Sequence, residues 1–193
     1  MDLTQGTTQE KQKRAKKMML WFGVISLIMS FAGLTSAFIV SSSREDWLVG
    51  FVRPNAFIYS TLIIFLSSVF LYAAKQTLKK NQATTTTSLL IGALVLGIAF
   101  IYSQIQGFNQ IIDSGYNFTG PTSNITMSYI YIIAVVHILH VVAGIVCLIV
   151  VVINQLNKKY SAEDRLGFDL ATSFWHFVDI LWIYLFFFFY FIR

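Results

Sequence analysis

The stretch that decides the fold is MSYIYIIAVVHILHVVAGIVCLIVVVI, which occupies residues 127–153. It contains no Asp, Glu, Lys or Arg, and it lies inside an uncharged run from Ser114 to Asn157. About 20 apolar residues in a helix cross the roughly 30 Å hydrocarbon core of a bilayer, and this stretch is longer. Lipid offers the backbone no hydrogen-bond partner, so an apolar run of this length predicts a membrane-spanning α-helix.

The composition extends this interpretation to the whole chain. Hydrophobic residues make up 56% of the 193 residues and charged residues only 12%, with a mean hydropathy of +0.66. A soluble domain carries roughly 25% charged residues, so this chain cannot cover the surface of a soluble globule. Disordered, collagen-like and disulfide-rich classes are excluded by the high hydrophobicity, the 11 Gly and the single Cys. The chain is predicted to be an integral membrane protein.

Charged residues divide the chain into five apolar runs, which predict an all-α bundle of five transmembrane helices. Residues 1–17 are predicted to form a basic tail, and residues 18–193 a single transmembrane domain. The first span exceeds the usual 7–15 apolar residues of a signal peptide, so we expect it to remain in the protein. The spans are predicted near residues 18–40, 55–74, 88–106, 127–153 and 171–192.

The positive charges predict the orientation. Eleven of the 14 Lys and Arg residues lie before the first span or after the second and fourth spans. Loops rich in Lys and Arg face the cytoplasm, so we predict a cytoplasmic N-terminus and an outer C-terminus. The net charge of +5 is then explained by topology, without a nucleic-acid partner. The cytoplasmic set is Lys11, Lys13, Arg14, Lys16, Lys17, Lys75, Lys79, Lys80, Lys158, Lys159 and Arg165, and the outer set is Arg44, Arg53 and Arg193.

Ionisable residues inside the last two spans are the candidate site. All three histidines of the chain, His137, His140 and His176, lie within predicted spans together with Asp179. Such residues are costly at membrane depth, so they normally face the bundle interior and pair there. Helical spacing places His137 and His140 on one face of the fourth span, and His176 and Asp179 on one face of the fifth.

Three interpretations of this polar group remain open. Side-chain hydrogen bonds often hold membrane helices together, which makes a structural contact between the two helices the simplest. A proton-related site is the second. A metal or haem site is the third, because imidazole is the commonest metal ligand. The depths of His140 and His176 differ by roughly 12 Å at 1.5 Å per residue, which argues against a shared metal ion.

The first span carries a stripe of small residues that predicts a helix-packing ridge. Ser26, Ser30, Gly33 and Ala37 follow one another at i, i+4, i+7 and i+11. Small residues at this spacing let a second helix approach closely in the membrane.

The sequence FWHFVDILW at residues 174–182, preceded by GFD at 167–169, closely resembles the last helix of subunit III of the haem-copper oxygen reductases. That family's signature is a Gly-Phe-Glu, a short spacer and Trp-His-Phe-Val-Asp. HILHVVAG at residues 137–144 is similar to the family's His-x-x-His-Val-x-x-Gly. The resemblance extends over nearly the whole chain from about Leu20. Weaker matches are Ser67-Ser68, Leu96-Gly97 and Gln104.

The resemblance implies a supporting subunit of a respiratory terminal oxidase in a bacterial cytoplasmic membrane. In that family, subunit I reduces oxygen to water with electrons from cytochrome c or quinol while protons cross the membrane. Subunit III packs directly against subunit I, holds phospholipid, contacts other respiratory-chain subunits and sustains proton uptake. This chain is therefore expected to have no catalytic, cofactor-binding or metal-binding residue, with haem and copper on partner subunits. It is similar to short forms that have five helices instead of seven.

Three departures from the family pattern concern acidic residues. Leu27 stands where the family usually has a buried Glu, and Gly107-Phe108 replaces a common acidic-aromatic pair. Asp169 replaces the Glu of the Gly-Phe-Glu signature, and we include it in the buried polar site. The two missing carboxylates favour a scaffold over a chain that relays protons. The alternatives to an oxidase subunit are an independent membrane cytochrome with His-ligated haem, or a small transporter with a midplane His/Asp site.

Overall fold

A computed structural model of the chain describes residues 7–48, 54–120, 123–161 and 163–191. Within these ranges it contains five helices that are long and apolar enough to cross a membrane, which confirms the predicted fold class. Arg53 and Arg193, residues 1–6 of the tail and residue 192 of the last predicted span lie outside the described residues. The helices are α1 (Thr8–Ser41), α2 (Ala56–Lys79), α3 (Ala83–Asp113), α4 (Ile125–Leu156) and α5 (Leu166–Phe191).

The helices are longer than the predicted spans, and the largest difference is at the start of α1. Thr7 Oγ1 accepts a hydrogen bond from the Glu10 amide at 3.3 Å, and the Glu10 carboxylate accepts one from the Thr7 amide at 2.9 Å. This reciprocal pair is a capping box, which satisfies backbone donors that the first turn of a helix leaves free. Residues 8–17, assigned to the tail by the sequence, are therefore the first turns of α1.

The helices α2 to α5 form a bundle in which each packs against the next, and α5 packs back against α2. Helix α1 lies outside this bundle against α4 and α5. The short connection between α2 and α3 and a 3.2 Å ion pair between Lys13 and Asp164 place three segments at one end of the bundle. These are the start of α1 and the connections α2–α3 and α4–α5. We call this the basic end, because it carries the eleven clustered Lys and Arg residues.

The bundle core is organised around Trp175 of α5, of which only 1% is exposed. Its ring lies in a slot between α3 and α4 that exists because Gly97 and Gly144 have no side chains. A Cβ at residue 97 would come within 2.6 Å of the ring, and one at residue 144 within 3.0 Å. Two further glycines of α3 make similar room for α2, Gly92 against the ring of Phe70 and Gly107 against that of Phe57.

Helix α1 packs on the bundle through a face that the small-residue ridge does not share. Its buried residues are Val24, Phe31, Thr35 and Phe38. Of the predicted ridge, Ser26, Ser30 and Gly33 are exposed and Ala37 is half-buried. A Cβ at Gly33 would meet nothing within 4 Å. Since the five helices of the described ranges leave this ridge exposed, another chain could supply a helix that packs on it.

Candidate functional site

A single serine of α2 joins the two ionisable residues of α5. Ser68 Oγ donates a hydrogen bond to Asp179 Oδ2 and lies 2.9 Å from Nδ1 of His176. Asp179 is 3% exposed, and His176 is half-buried. We call these three residues the α2–α5 polar triad. Asp179 has a hydrogen-bond partner inside the bundle, but that partner is Ser68 rather than a histidine.

The neighbouring serine shows why the local sequence permits this arrangement. Ser67 Oγ donates to the backbone oxygen of Ala93 in α3 at 3.1 Å. Consecutive residues of an α-helix point about 100° apart, since the helix has 3.6 residues per turn. The serine pair thus serves two interfaces, with Ser67 joining α2 to α3 and Ser68 joining α2 to α5.

Nearer the basic end, Asp169 ties the start of α5 to α2. Its carboxylate lies 2.9 Å from Lys75 Nζ of α2 and 3.3 Å from Arg165 Nε, one turn before it. The side chains of Lys75 and Arg165 are 31% and 28% exposed. The contact is an ion pair at the margin of the bundle, separate from the triad.

His137 of α4 lies in an aromatic enclosure. Its ring stacks on Trp182 of α5 with centroids 5.2 Å apart and an interplanar angle of 29°. Phe31 and Phe100 meet it edge-on at 6.3 and 6.2 Å. The residue is fully buried, and neither ring nitrogen has a hydrogen-bond partner. The Trp182 indole in turn donates to Thr61 Oγ1 of α2 at 3.0 Å, which links α4, α5 and α2 through one stacked pair.

His140 has a different environment from His137, one turn earlier on the same helix. It is half-buried, its Nδ1 lies 2.7 Å from the backbone oxygen of Val136, and its ring lies 5.9 Å from Phe31. A histidine whose ring nitrogen faces a carbonyl of its own helix is oriented by that contact. His140 therefore borders the interface between α1 and α4.

The structure separates the five residues of the predicted polar site into three places. His176 and Asp179 share Ser68, Asp169 pairs with Lys75 and Arg165, and the two histidines of α4 lie among aromatic rings. Helical spacing correctly groups residues on a face, but it does not reveal which helix that face meets. His176 and Asp179 bond to α2, where the sequence suggested α4. Within the described ranges, no group of three or more His, Cys, Asp or Glu could hold a metal ion.

The sequence alone does not identify two side chains that bond to α5. Lys75, which pairs with Asp169, entered only as one of the positive charges that predict the orientation, and Thr61, which accepts from Trp182, was not a candidate. Ser68 entered through the family resemblance alone. The signal that could have found Thr61 and Ser68 is the presence of polar side chains inside an apolar span, where each normally needs a partner.

A groove opens at the basic end of the bundle. It has about 390 Å³ of free volume and lies between the first turns of α1, the end of α4 and the start of α5. Three lysines line it, and one of them pairs with an aspartate of the same groove. The polar lining comprises Gln9, Gln12, Lys13, Lys16, Asn154, Lys159, Tyr160 and Asp164.

These features define a multi-pass α-helical membrane protein whose polar interior joins its helices to one another. The chain belongs to the cytochrome c oxidase subunit III family, whose model matches residues 3–193. This confirms the resemblance and makes the chain a terminal-oxidase subunit, a component of a multi-subunit complex.

Individual relatives carry the same family name. Cytochrome c oxidase subunit 3 of Drosophila melanogaster is 30% identical over 94% of this chain and 72% of its own length. That of Aedes aegypti is 28% identical over 84% of this chain and 64% of its own length. The probable cytochrome c oxidase subunit 3 of Rickettsia prowazekii (strain Madrid E) is 34% identical over 66% of this chain and 44% of its own. The chain thus spans between 44 and 72% of the length of these relatives.

Proposed function

We propose that the chain is the non-redox subunit III of a proton-translocating terminal oxidase in a bacterial cytoplasmic membrane. Subunit I carries haem and copper, reduces oxygen to water with electrons from cytochrome c or quinol, and contacts this chain directly. The supporting observation is that each histidine already has a packing role. His137 stacks on Trp182, His140 faces its own helix, and His176 bonds to Ser68.

The face for the partner is expected on the outside of α1. Ser26, Ser30 and Gly33 of the ridge are exposed in the part of the chain that the structure describes, and small residues at this spacing favour close helix contact. A transmembrane helix of another oxidase subunit could lie against this ridge with little loss of side-chain freedom. The ridge then contributes to assembly rather than to the folding of the chain.

Bound phospholipid is expected in the groove at the basic end. Lys13, Lys16 and Lys159 line it, and lysines at a membrane boundary attract anionic headgroups with about 1 kcal/mol per residue. The lipid would fill the space between α1 and the α4–α5 connection. By holding α1 on the bundle, it would support the attachment to subunit I and the sustained uptake of protons there.

The test is purification of the tagged chain from its own membranes in mild detergent. We expect a haem- and copper-bearing subunit I in equal amount, identified by mass spectrometry and by the visible spectrum. The same chain stripped of its partners should be colourless. Stoichiometric haem on the isolated chain would support an independent cytochrome, and recovery without any oxidase subunit would contradict the assignment.

A further inference from the structure

We propose that the α2–α5 polar triad is a proton-binding site within this chain: His176 takes up a proton, Ser68 passes it on, and Asp179 holds it. The proposal goes beyond an assembly role, because it assigns a chemical event to residues of this chain. It rests on the hydrogen bonds and burial of the three side chains, and it holds whether or not the chain contacts subunit I.

The burial of the two end groups gives the site a direction. His176 is half-buried and has Lys75 nearby toward the basic end, so it is the more accessible of the two end groups of the triad. Asp179 is 3% exposed, and its Oδ1 is buried without a hydrogen-bond partner. A carboxylate in that position is an incompletely compensated charge in a low-dielectric interior, which protonation would remove. Asp179 is therefore the inner end of the path.

The hydrogen bonds determine the starting state. Ser68 has one hydroxyl proton, and it donates this proton to Asp179 Oδ2. Ser68 Oγ can then only accept from His176, so Nδ1 at 2.9 Å must carry the hydrogen. The chain of donors runs from His176 Nδ1–H to Ser68 Oγ–H to the carboxylate. Each donor in it is directed toward Asp179.

The transfer balances without any co-reactant. His176 Nε2 binds the incoming proton while the N–H bond at Nδ1 breaks and its proton passes to Ser68 Oγ. Ser68 releases its former hydroxyl proton to Asp179 Oδ2, where an O–H bond forms. The imidazole ends neutral, with the hydrogen on Nε2, and the carboxylate becomes a carboxylic acid. Afterwards Asp179 donates to Ser68 and Ser68 donates to His176 Nδ1, so the same contacts fit both states.

The charges around the triad come from two neighbouring helices. At the basic end, Lys75 of α2 lies near His176, and Lys75 also pairs with Asp169, which pairs with Arg165. These three groups sum to one positive charge on the His176 side of the triad. On the other side, α4 contributes His137 against Trp182, one turn from Asp179, and His140 beyond it. The apolar parts of α1 and α3 that pack on the bundle have no Asp, Glu, Lys or Arg at this depth.

Infrared difference spectroscopy tests whether Asp179 takes up a proton. The chain is purified from its membranes with whatever subunits stay attached, and spectra at acid and alkaline pH are subtracted. We expect the C=O stretching band of a protonated carboxyl group to grow on the acid side and to be lost in Asp179→Asn, which keeps the shape and the acceptor for Ser68. If that variant shows the same carboxyl bands as the wild type at every pH, the proposal is overturned.

A pH jump tests the path, with the two serines as a matched pair. Ser68→Ala breaks the relay, whereas Ser67→Ala removes a hydroxyl that bonds only to the backbone of Ala93. We expect the carboxyl band to appear about tenfold more slowly in Ser68→Ala, equivalent to ~1.4 kcal/mol in the barrier, and at the wild-type rate in Ser67→Ala. If Ser68→Ala fails to accumulate, His176→Gln is the second variant. Its side chain keeps a bond to Ser68 but cannot pass a proton, so it should slow the same step. Unchanged rates in the relay variants would contradict the path.

Discussion

The indole of Trp175 occupies the space that a side chain on Gly97 would need. A Cβ at residue 97 would lie 2.6 Å from Cη2 of the ring and 2.9 Å from Cζ2. On the other side of the ring, a Cβ at Gly144 would lie 3.0 Å from Cε3. Both glycines belong to motifs that were identified only because they resemble those of the family. Their physical role is to seat one large ring of α5 between α3 and α4.

Gly97→Ala should therefore destabilise the chain. The added methyl group overlaps a ring that is buried on every side, and overpacking of this kind costs typically about 1–3 kcal/mol. Thermal unfolding in detergent measures the effect. The matched control is Gly23→Ala on α1, where an added Cβ meets nothing within 4 Å. If the two variants unfold at the same temperature, Trp175 does not fill this slot.

Asp179→Ala should weaken the attachment of α5 to α2. Ser68 loses its acceptor but keeps His176, so we expect the loss of one buried hydrogen bond, about 1–3 kcal/mol, rather than the larger cost of breaking a charged pair. The subunit content of membranes after mild solubilisation measures this loss. Asp179→Asn preserves an acceptor for Ser68 and should retain more of the subunit. Equal losses in the two variants would contradict a role for this hydrogen bond.

Gly33→Leu should impair assembly without unfolding the chain. A Cβ added at this position meets nothing within 4 Å among the described residues, but a leucine side chain would separate two helices in contact across the ridge. Native gels report the association, and thermal unfolding reports the fold. Met29→Leu is the control, because Met29 is 70% exposed on the same helix and the change keeps its volume. Normal association of Gly33→Leu would place the ridge against lipid.

Acid should loosen the segment that follows α1. Arg44 makes a two-point contact with Asp46, at 2.8 and 3.1 Å, and this hydrogen bonding lowers the pKa of the Asp46 carboxyl. Because the native pKa lies below the unfolded one, the contact supports the segment above the ordinary pKa of 3.8 and loses its effect as the pH falls through the native value.

Hydrogen exchange measures this change in residues 42–48. The backbone oxygen of Asp46 accepts from Asn124 at 2.8 Å, so loss of the pair should also raise exchange where this segment meets the start of α4. Arg44→Gln should show fast exchange already at neutral pH. A wild-type segment without a step in the acid range, or an Arg44→Gln segment that exchanges as slowly as the wild type at neutral pH, would contradict this assignment.

The fold could be predicted because the membrane restricts the choices. Lipid requires every backbone group of a span to be satisfied internally, so uncharged runs such as 127–153 can only be helices. The ends were less predictable, since α1 begins at Thr8, well before the apolar run starts near residue 18. The Thr7–Glu10 capping box was visible in the sequence, but a hydropathy pattern marks where apolar residues end and not where a helix ends.

The site could be predicted only in part, for a related reason. Membrane depth marks His176 and Asp179 as residues that need partners, and helical spacing puts them on one face. Their partner Ser68 is uncharged, and it lies 108 and 111 positions before them in the chain. Which helix meets which face depends on packing around Trp175, and a single sequence contains no direct record of that packing.

As proposed above, the chain supports an oxidase whose chemistry takes place on another subunit. Oxygen consumption by membranes with and without the chain tests this proposal, with the amount of subunit I matched by its haem spectrum. We expect initial turnover per subunit I to persist without the chain and then to decay faster during continued turnover, and added chain should restore the lifetime of the oxidase. Abolished initial turnover at an unchanged amount of subunit I would show that this chain takes part in oxygen reduction itself.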